Sequence, residues 1–376
     1  MFKLYEYQAK EIFFRHGIAV PRGGLATSAE GCVEVFRRLG LPVVLKPQLE
    51  VKGRGKVGGI LFASSEGEVE RVAEELFGRE IHGEEVKRIW VEERVEFVQE
   101  LYVAVLVNYS EAKVVLLAGE EGGVEVERLV LEGGSLLHRE EMYLSQRPSE
   151  AYRRRVEGSL GEGVWVVLER MLQIFRQLDG ELVEINPLVR TVDGGVMALD
   201  GVLNVNEDSL FRQEELERLR QERVDRDSLE ERARRHGWTY LELGGEIGIL
   251  SSGAGITMAI LDMFQRRGLR PANFLDTAQM DGEGIYKAFQ FLLENPRVRG
   301  LFVNILAGLN RCDWLAEGMV RFVEEFGLEL PLVVRMMGNR ELEGRELLRA
   351  RGVEVYGELE ESIEALSRKL ELGEGG

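Results

Sequence analysis

Between residues 212 and 236 the chain reads RQEELERLRQERVDRDSLEERARRH, dense mixed charge with almost no large apolar side chain. Such a stretch supplies nothing to a core and reads as a solvated helical linker. The 376 residues must therefore fold as separate parts on either side of it, a division that length alone also favours. The boundaries that follow are a first domain over 1–211, the linker over 212–236 and a second domain over 237–376.

The texture differs across that divide. After it come IGILSSGAGITMAILDMF, ANFLD, VRGLFVNIL, PLVVRM and GVEVYG, short apolar strands alternating with helical stretches. This predicts a parallel α/β sheet whose ligand crevice lies at the carboxyl ends of the strands. Before it, the pattern is α+β. LYEYQAKEIFFRH spaces Tyr5, Ala9, Ile12 and Phe13 as a packing helix stopped by Gly17, and ELYVAVLVNY with KVVLLAG forms an antiparallel hairpin around Ser110–Glu111. Residues 149–179 are mostly helical, and ELVEINPLVRT and GGVMALDGVLNV are two strands joined by Val192–Gly195.

Hydrophobic residues at 44% and charged residues at 30% are those of a globular protein with real cores. The net charge of −18 excludes a general nucleic-acid or anionic-membrane surface, since repulsion from phosphate opposes binding. No apolar run reaches the roughly 18 residues needed to span a membrane. Two cysteines, Cys32 and Cys312, make no disulfide framework and point to a reducing, cytoplasmic compartment.

In so acidic a chain, Val43–Gly59, VVLKPQLEVKGRGKVGG, stands out. An apolar strand carrying Lys46 runs into a loop with Lys52, Gly53, Arg54, Gly55, Lys56, Gly58 and Gly59. Glycines let backbone amides approach a polyphosphate, and the cations supply charge-assisted donors. The Walker A pattern is absent, and a solvated surface hairpin remains the competing reading. Further along, Glu184 and Asn186 fall on one face of a strand, and a following antiparallel strand brings Asp200 beside them. Magnesium takes one or two protein carboxylates together with substrate phosphates, so this modest oxygen set suits a Mg-nucleotide.

In this order the pieces resemble the ATP-grasp fold. The whole chain resembles the β subunit of the ADP-forming succinate–CoA ligase family, through LYEYQAKEIFFRHGI, GRGKVGG, EGGVEVE, EINPLV, ALDG, LFRQ, the SGAG turn, PANFLD, VNIL with RCDWLAEG, and PLVVR. The resemblance implies an ATP-grasp domain followed by a flavodoxin-like CoA-ligase domain, ATP and CoA as substrates, and Mg2+. By resemblance, Lys46, Gly53, Arg54 and Gly55 hold nucleotide phosphates, Glu92 and Glu100 match hinge and ribose positions, and Asn186 and Asp200 match the Mg2+ positions. Glu184 and Lys56 join these by proximity alone.

The family passes phosphate through a phosphohistidine, yet His16, His82, His138 and His236 lie outside every motif. The resemblance places that histidine and the main CoA site on a separate α-type subunit. In the second domain, Asn304–Leu306 runs into Ala307–Asp313, and the helix beyond should present free backbone amides, a natural anion site. Ser252, Gly308, Leu309 and Asn310 are the residues expected to hold a small carboxylic acid, and Cys312 packs rather than reacts.

Departures bear on the acid. Ala307-Gly308 replaces the Gly-Gly pair usual in relatives that use succinate, Ser252 replaces an asparagine, and Thr277-Ala278-Gln279-Met280 replaces a glycine triplet. AGLNRCDWLAE is similar to the malate–CoA ligase branch, and Asn310 offers a donor to a hydroxyl. Pro47 and Lys52 resemble the citrate-activating relatives, ATP-citrate lyase and citryl-CoA synthetase. A regulatory nucleotide-binding paralogue is the alternative outside catalysis; intact Lys46, Arg54, Asn186 and Asp200 count against it.

Overall fold

The computed structural model describes residues 1–40, 42–49, 59–122, 137–277, 281–327 and 330–373. Its chain forms two compact units, Met1–Arg220 and Gln221–Gly376.

The first unit runs β1 (Phe2–Lys3), α1 (Glu6–Arg15), β2 (Gly23–Ala26), α2 (Ala29–Leu39), β3 (Val43–Pro47), β4 (Leu61–Ala63), α3 (Glu66–Leu76), β5 (Glu80–Ile81), β6 (Glu84–Glu85), β7 (Ile89–Glu93), β8 (Phe97–Asn108), β9 (Lys113–Gly119), β10 (Leu137–Met142), α4 (Glu150–Leu160), α5 (Glu162–Gln177), β11 (Gly180–Thr191), β12 (Val196–Ala198) and β13 (Val202–Val205). It closes with α6 (Glu214–Gln221). A four-stranded antiparallel sheet, ordered β2-β7-β3-β4, carries α2 and α3 on one face. Both helices start on serine caps, Ser28 and Ser65, which accept the Gly31 and Glu68 amides, and α2 stops at Gly40 in the left-handed region. The larger sheet is ordered β1-β13-β11-β8-β9-β10, with β12 also on β11, and packs its core against α1, α4 and α5.

GGVMALDGVLNV forms two strands rather than the one expected. The break at Leu199–Gly201 has a packing cause: a Cβ on Gly201 would lie 2.4 Å from the Phe13 ring, so backbone there must pass close under α1. This break displays Asp200.

The second unit runs α7 (Leu229–Arg235), β14 (Thr239–Glu242), β15 (Ile247–Ser251), α8 (Ala254–Arg266), β16 (Asn273–Asp276), α9 (Gly282–Leu293), β17 (Gly300–Ala307), α10 (Cys312–Phe326), β18 (Leu332–Gly338), α11 (Glu341–Arg349), β19 (Glu354–Tyr356) and α12 (Leu359–Gly373). The order β16-β15-β17-β18-β19 is parallel and doubly wound, the flavodoxin-like arrangement. One correction applies: β14 joins as an antiparallel edge on β16. The charged stretch 212–236 holds α6 and α7, and it contributes buried Leu216 and Ala233 to the cores of the two units. Among the described residues no helix is long and apolar enough to cross a membrane.

Candidate functional site

Strand alternation builds the first site. On β3 and β7, Val43, Leu45, Ile89 and Val91 enter the core under α2 and α3. The opposite face therefore receives Lys46, Trp90 and Glu92, with Lys46 paired across from Trp90 and Val44 from Glu92. Glu6 and Lys10, one turn apart on α1, meet this face.

The four charged side chains are buried together. Lys46 Nζ lies 2.7 Å from Glu92 Oε1 and 3.1 Å from Glu6 Oε1, and it donates to the Leu199 carbonyl at 2.6 Å. Lys10 Nζ lies 2.7 Å from Glu6 Oε1 and 2.6 Å from Glu92 Oε2, an oxygen that also accepts the Trp90 indole N–H at 2.8 Å. Burial works against the Lys46 charge, but the carboxylates of Glu6, Glu92 and Asp200 and the bond to Glu92 outweigh it. The ammonium is held above the ordinary lysine range.

Asp200 enters from the break between β12 and β13, where its carboxylate accepts the Gly201 amide at 2.7 Å. The register running from Leu188↔Ala198 to Glu184↔Val202 sets Asn186 across from Asp200. Burial alternates through Val183–Asn186, leaving Glu184 and Asn186 half-exposed on one face, and only beyond Ile185 does the pairing with β8 slip by a residue. Among the described residues no group of three His, Cys, Asp or Glu gathers as a metal cage. Two half-exposed oxygen donors facing one another suit a hard cation that keeps its remaining positions for phosphate and water.

The other expected residues are distributed as follows. Glu92 and Glu100 straddle the crossover from the small sheet to the large one, Glu100 half-buried on β8 across from Val189. Gly53, Arg54, Gly55, Lys52 and Lys56 lie outside the described residues, as do Ala278–Met280 and most of EGGVEVE. Glu6 and Lys10 were missed by sequence reasoning. Their signal was an acid and a lysine four apart beside the apolar stripe of α1, a spacing equally typical of a solvated pair.

In the second unit the central strands end in a polar row. Register aligns Ser251, Asn304 and Arg335 across β15, β17 and β18. Arg335 donates to Asn304 Oδ1 at 3.2 Å, and Asn304 Nδ2 to Ser251 Oγ at 3.0 Å. Burial pulls the Arg335 guanidinium below its ordinary pKa, with Glu358 opposing. This row floors the switch point between β15 and β17, where doubly wound sheets bind ligands. Ser252 Oγ accepts the Leu306 amide at 3.5 Å, and a Cβ on Gly308 would meet nothing within 4 Å.

Leu309 and Asn310 line a separate cavity of about 580 Å3, together with Arg311, Trp314, His236 and Trp238. The His236 and Trp238 rings stack at 4.6 Å, and Arg311 lies 4.3 Å from the Trp314 ring centre. The expected free amides at α10 are a correction: Cys312 N–H donates to Asn339 O at 2.9 Å and Trp314 N–H to Asp313 Oδ1 at 3.1 Å. Asp313, folded back on Arg311 at the first turn, occupies the helix end. Cys312 is buried, its thiol pushed up to about 11 chiefly by burial.

The histidines have structural surroundings. His16 sits between Ile12 O at 2.8 Å and Gln177 Oε1 at 3.0 Å, and His138 meets Ser159 Oγ at 2.6 Å. His82 occupies a positive-φ turn between β5 and β6, and His236 is the stacked ring above.

Comparison with known proteins agrees with this architecture. The family description "ATP-grasp domain" matches residues 3–190, and "CoA-ligase" matches residues 250–368. Fold and site together define an ATP-grasp ligase chain joined to a CoA-ligase domain. The succinate–CoA ligase [ADP-forming] subunit beta of Staphylothermus marinus is 38% identical over 96% of this chain and 97% of its own. A probable malate–CoA ligase subunit beta of Mesorhizobium japonicum is 38% identical over 92% of this chain and 91% of its own. The chain belongs to the succinate–CoA ligase β-subunit family. In fold it is similar to ATP citrate lyase from Methanothrix soehngenii, with a TM-score of 0.69 at 18% identity, covering 94% of this chain and 95% of that one.

Proposed function

We propose that this chain is the nucleotide-binding β subunit of a succinate-type, ADP-forming acid–CoA ligase, which converts ATP, a carboxylic acid and CoA into acyl-CoA, ADP and phosphate. The observation that carries the proposal is the convergence of buried Lys46 and Glu92 with half-exposed Asp200, whose charge acts on Lys46 and which lies opposite Asn186.

In this reading Lys46 and the Gly53–Arg54–Gly55 backbone hold the ATP phosphates, while Glu92 and Glu100, on either side of the sheet crossover, take the hinge and ribose. Asn186 and Asp200 hold Mg2+, which when bound neutralises charge on the phosphates. This chain's part in phosphoryl transfer is orientation and charge stabilisation. The phosphoryl acceptor is a histidine of the α-type subunit, since each histidine here has structural surroundings; the acid takes the phosphoryl from it to form an acyl phosphate, and the CoA thiol then attacks the acyl carbon and displaces phosphate. Ser252, Gly308, Leu309 and Asn310 hold the acid. Two buried free thiols support a reducing, cytoplasmic setting.

Malate is the second reading, favoured by Asn310, a residue of the cavity lining that can donate to a hydroxyl. The complex with an α-type subunit, assayed for ATP- and CoA-dependent phosphate release with succinate, malate and citrate in turn, tests both. Turnover with succinate supports the first reading and a preference for malate the second. No turnover with any of the three defeats the enzyme assignment in favour of a regulatory paralogue.

A further inference from the structure

One face of the second unit's sheet changes character at the carboxyl ends of its strands. Ile249, Phe302 and Val333 lie side by side on β15, β17 and β18 and pack into the apolar cluster under α8 and α12. Two residues further along each strand, the same face carries Ser251, Asn304 and Arg335, all buried. The row sits directly behind the candidate acid loops: Ser251 precedes Ser252, and Asn304 stands two residues before Leu306, whose amide donates to Ser252 Oγ.

Arg335 is 8% exposed, yet each of its three bonds goes to an uncharged group. Nε donates to Gly357 O at 3.0 Å, and the terminal nitrogens donate to Asn304 Oδ1 at 3.2 Å and Met337 Sδ at 2.6 Å. Among the described residues no carboxylate reaches it at ion-pair distance; Glu358, Glu341 and Glu360 act from further out, Arg345 opposes them, and burial outweighs all three. A cation buried in that way is costly to the fold, and at a ligand crevice it favours an anion. A guanidinium only donates, so it fixes the Asn304 amide with Oδ1 towards β18 and Nδ2 towards β15, and Ser251 Oγ must accept. The donors of the row thus point from Arg335 towards the strand that runs into Ser252.

We infer that Arg335 is a positioning residue for the acid substrate: through Asn304 and Ser251 it holds the ends of β15 and β17 in place and brings a positive charge beneath the loops that receive the carboxylate. The inference rests on the acid role proposed for Ser252, Gly308, Leu309 and Asn310. None of those four residues carries a charge, and Arg311, the cation beside them, is folded onto Asp313. Arg335 supplies the attraction that an anionic substrate needs from this domain.

The test compares the two substrates of the complex with its α-type partner, the acid being whichever of succinate, malate or citrate it uses best. Arg335→Met should raise the KM for the acid on the order of tenfold with a smaller change in kcat. The KM for ATP and the labelling of the partner by γ-labelled ATP, which do not involve the acid, should be unchanged. Arg335→Lys keeps the charge and should recover most of the loss. Asn304→Asp keeps the shape but gives the guanidinium a carboxylate; the acid KM should rise as in Arg335→Met while the unfolding temperature holds or rises. A residue that only packed would move stability and leave the two KM values in step.

A wild-type acid KM in Arg335→Met overturns the inference, as does a raised acid KM matched by an equal loss in ATP KM and labelling, or an Arg335→Lys no better than Arg335→Met. If Arg335→Met does not assemble, Asn304→Asp decides: a raised acid KM with stability intact supports the inference, whereas a wild-type acid KM or failure to assemble overturns it. Ser252→Ala combined with Asn310→Ala separates this claim from the one beneath it. An unchanged acid KM there, or no turnover of the wild type with any of the three acids, removes the acid reading and this inference with it; a raised acid KM there beside a wild-type one in Arg335→Met removes only the part of Arg335.

Discussion

Lys46 shows how far a residue's type can be read and where the reading stops. A lone lysine on an apolar strand before a glycine-rich loop was enough to mark it. Its surroundings were not legible, because the partners come from α1, β7 and the β12–β13 break, between 40 and 153 positions away. Its raised pKa places its titration above the ordinary lysine range, so the contribution of this ion pairing to stability is fully present at neutral pH and is lost only as pH rises through the folded value. The cysteines give a sharper residue-scale prediction. Burial pushes the Cys32 thiol up to about 12 and Cys312 up to about 11, so both stay protonated at neutral pH. A thiol reagent such as DTNB should leave the native chain essentially unlabelled near neutrality and react after denaturation. Fast labelling of Cys312 in the native state would contradict its assignment to packing.

At the scale of elements, the helices and central strands were well marked. Serine caps, glycine stops and the two periodicities are local signals, and they located α1, α2, α3 and the β8–β9 hairpin. What could not be read was imposed by neighbours. The strand around Asp200 breaks because Gly201 must pass under Phe13, and β14 is added antiparallel at the edge of the sheet, outside β16. A similar close approach joins α9 and α10, where a Cβ on Gly318 would lie 2.1 Å from the Gly282 carbonyl oxygen. Both partners are helix backbone and cannot swing aside. Gly318→Ala should therefore cost about 1–3 kcal/mol or more, despite the better helix propensity of alanine, as read by chemical denaturation. A neutral or stabilising effect would mean that the helices separate easily.

For the whole molecule, the charged stretch at 212–236 and the change of texture around it were enough to infer two differently built parts. The family resemblance extended that division to function. The candidate nucleotide site was legible in its strand positions, Lys46, Glu92 and Asn186, and in Asp200 though not in the break that holds it; it was incomplete in its helix, because Glu6 and Lys10 look like any solvated pair until α1 is laid against the sheet. The place proposed for the acid, the carboxyl ends of β15 and β17, follows from the alternation of strands and helices. The network beneath it, Arg335 through Asn304 to Ser251, depends on a register across three strands that no local pattern encodes.

The central claim is that this chain binds ATP and delivers its γ-phosphoryl group to a histidine on another subunit. Incubating the assembled complex with Mg2+ and γ-labelled ATP, then separating the subunits, measures that directly. The account predicts acid-labile label on the α-type subunit, none on this chain, and its loss in Asp200→Ala; label retained on this chain, or none transferred at all, would contradict it.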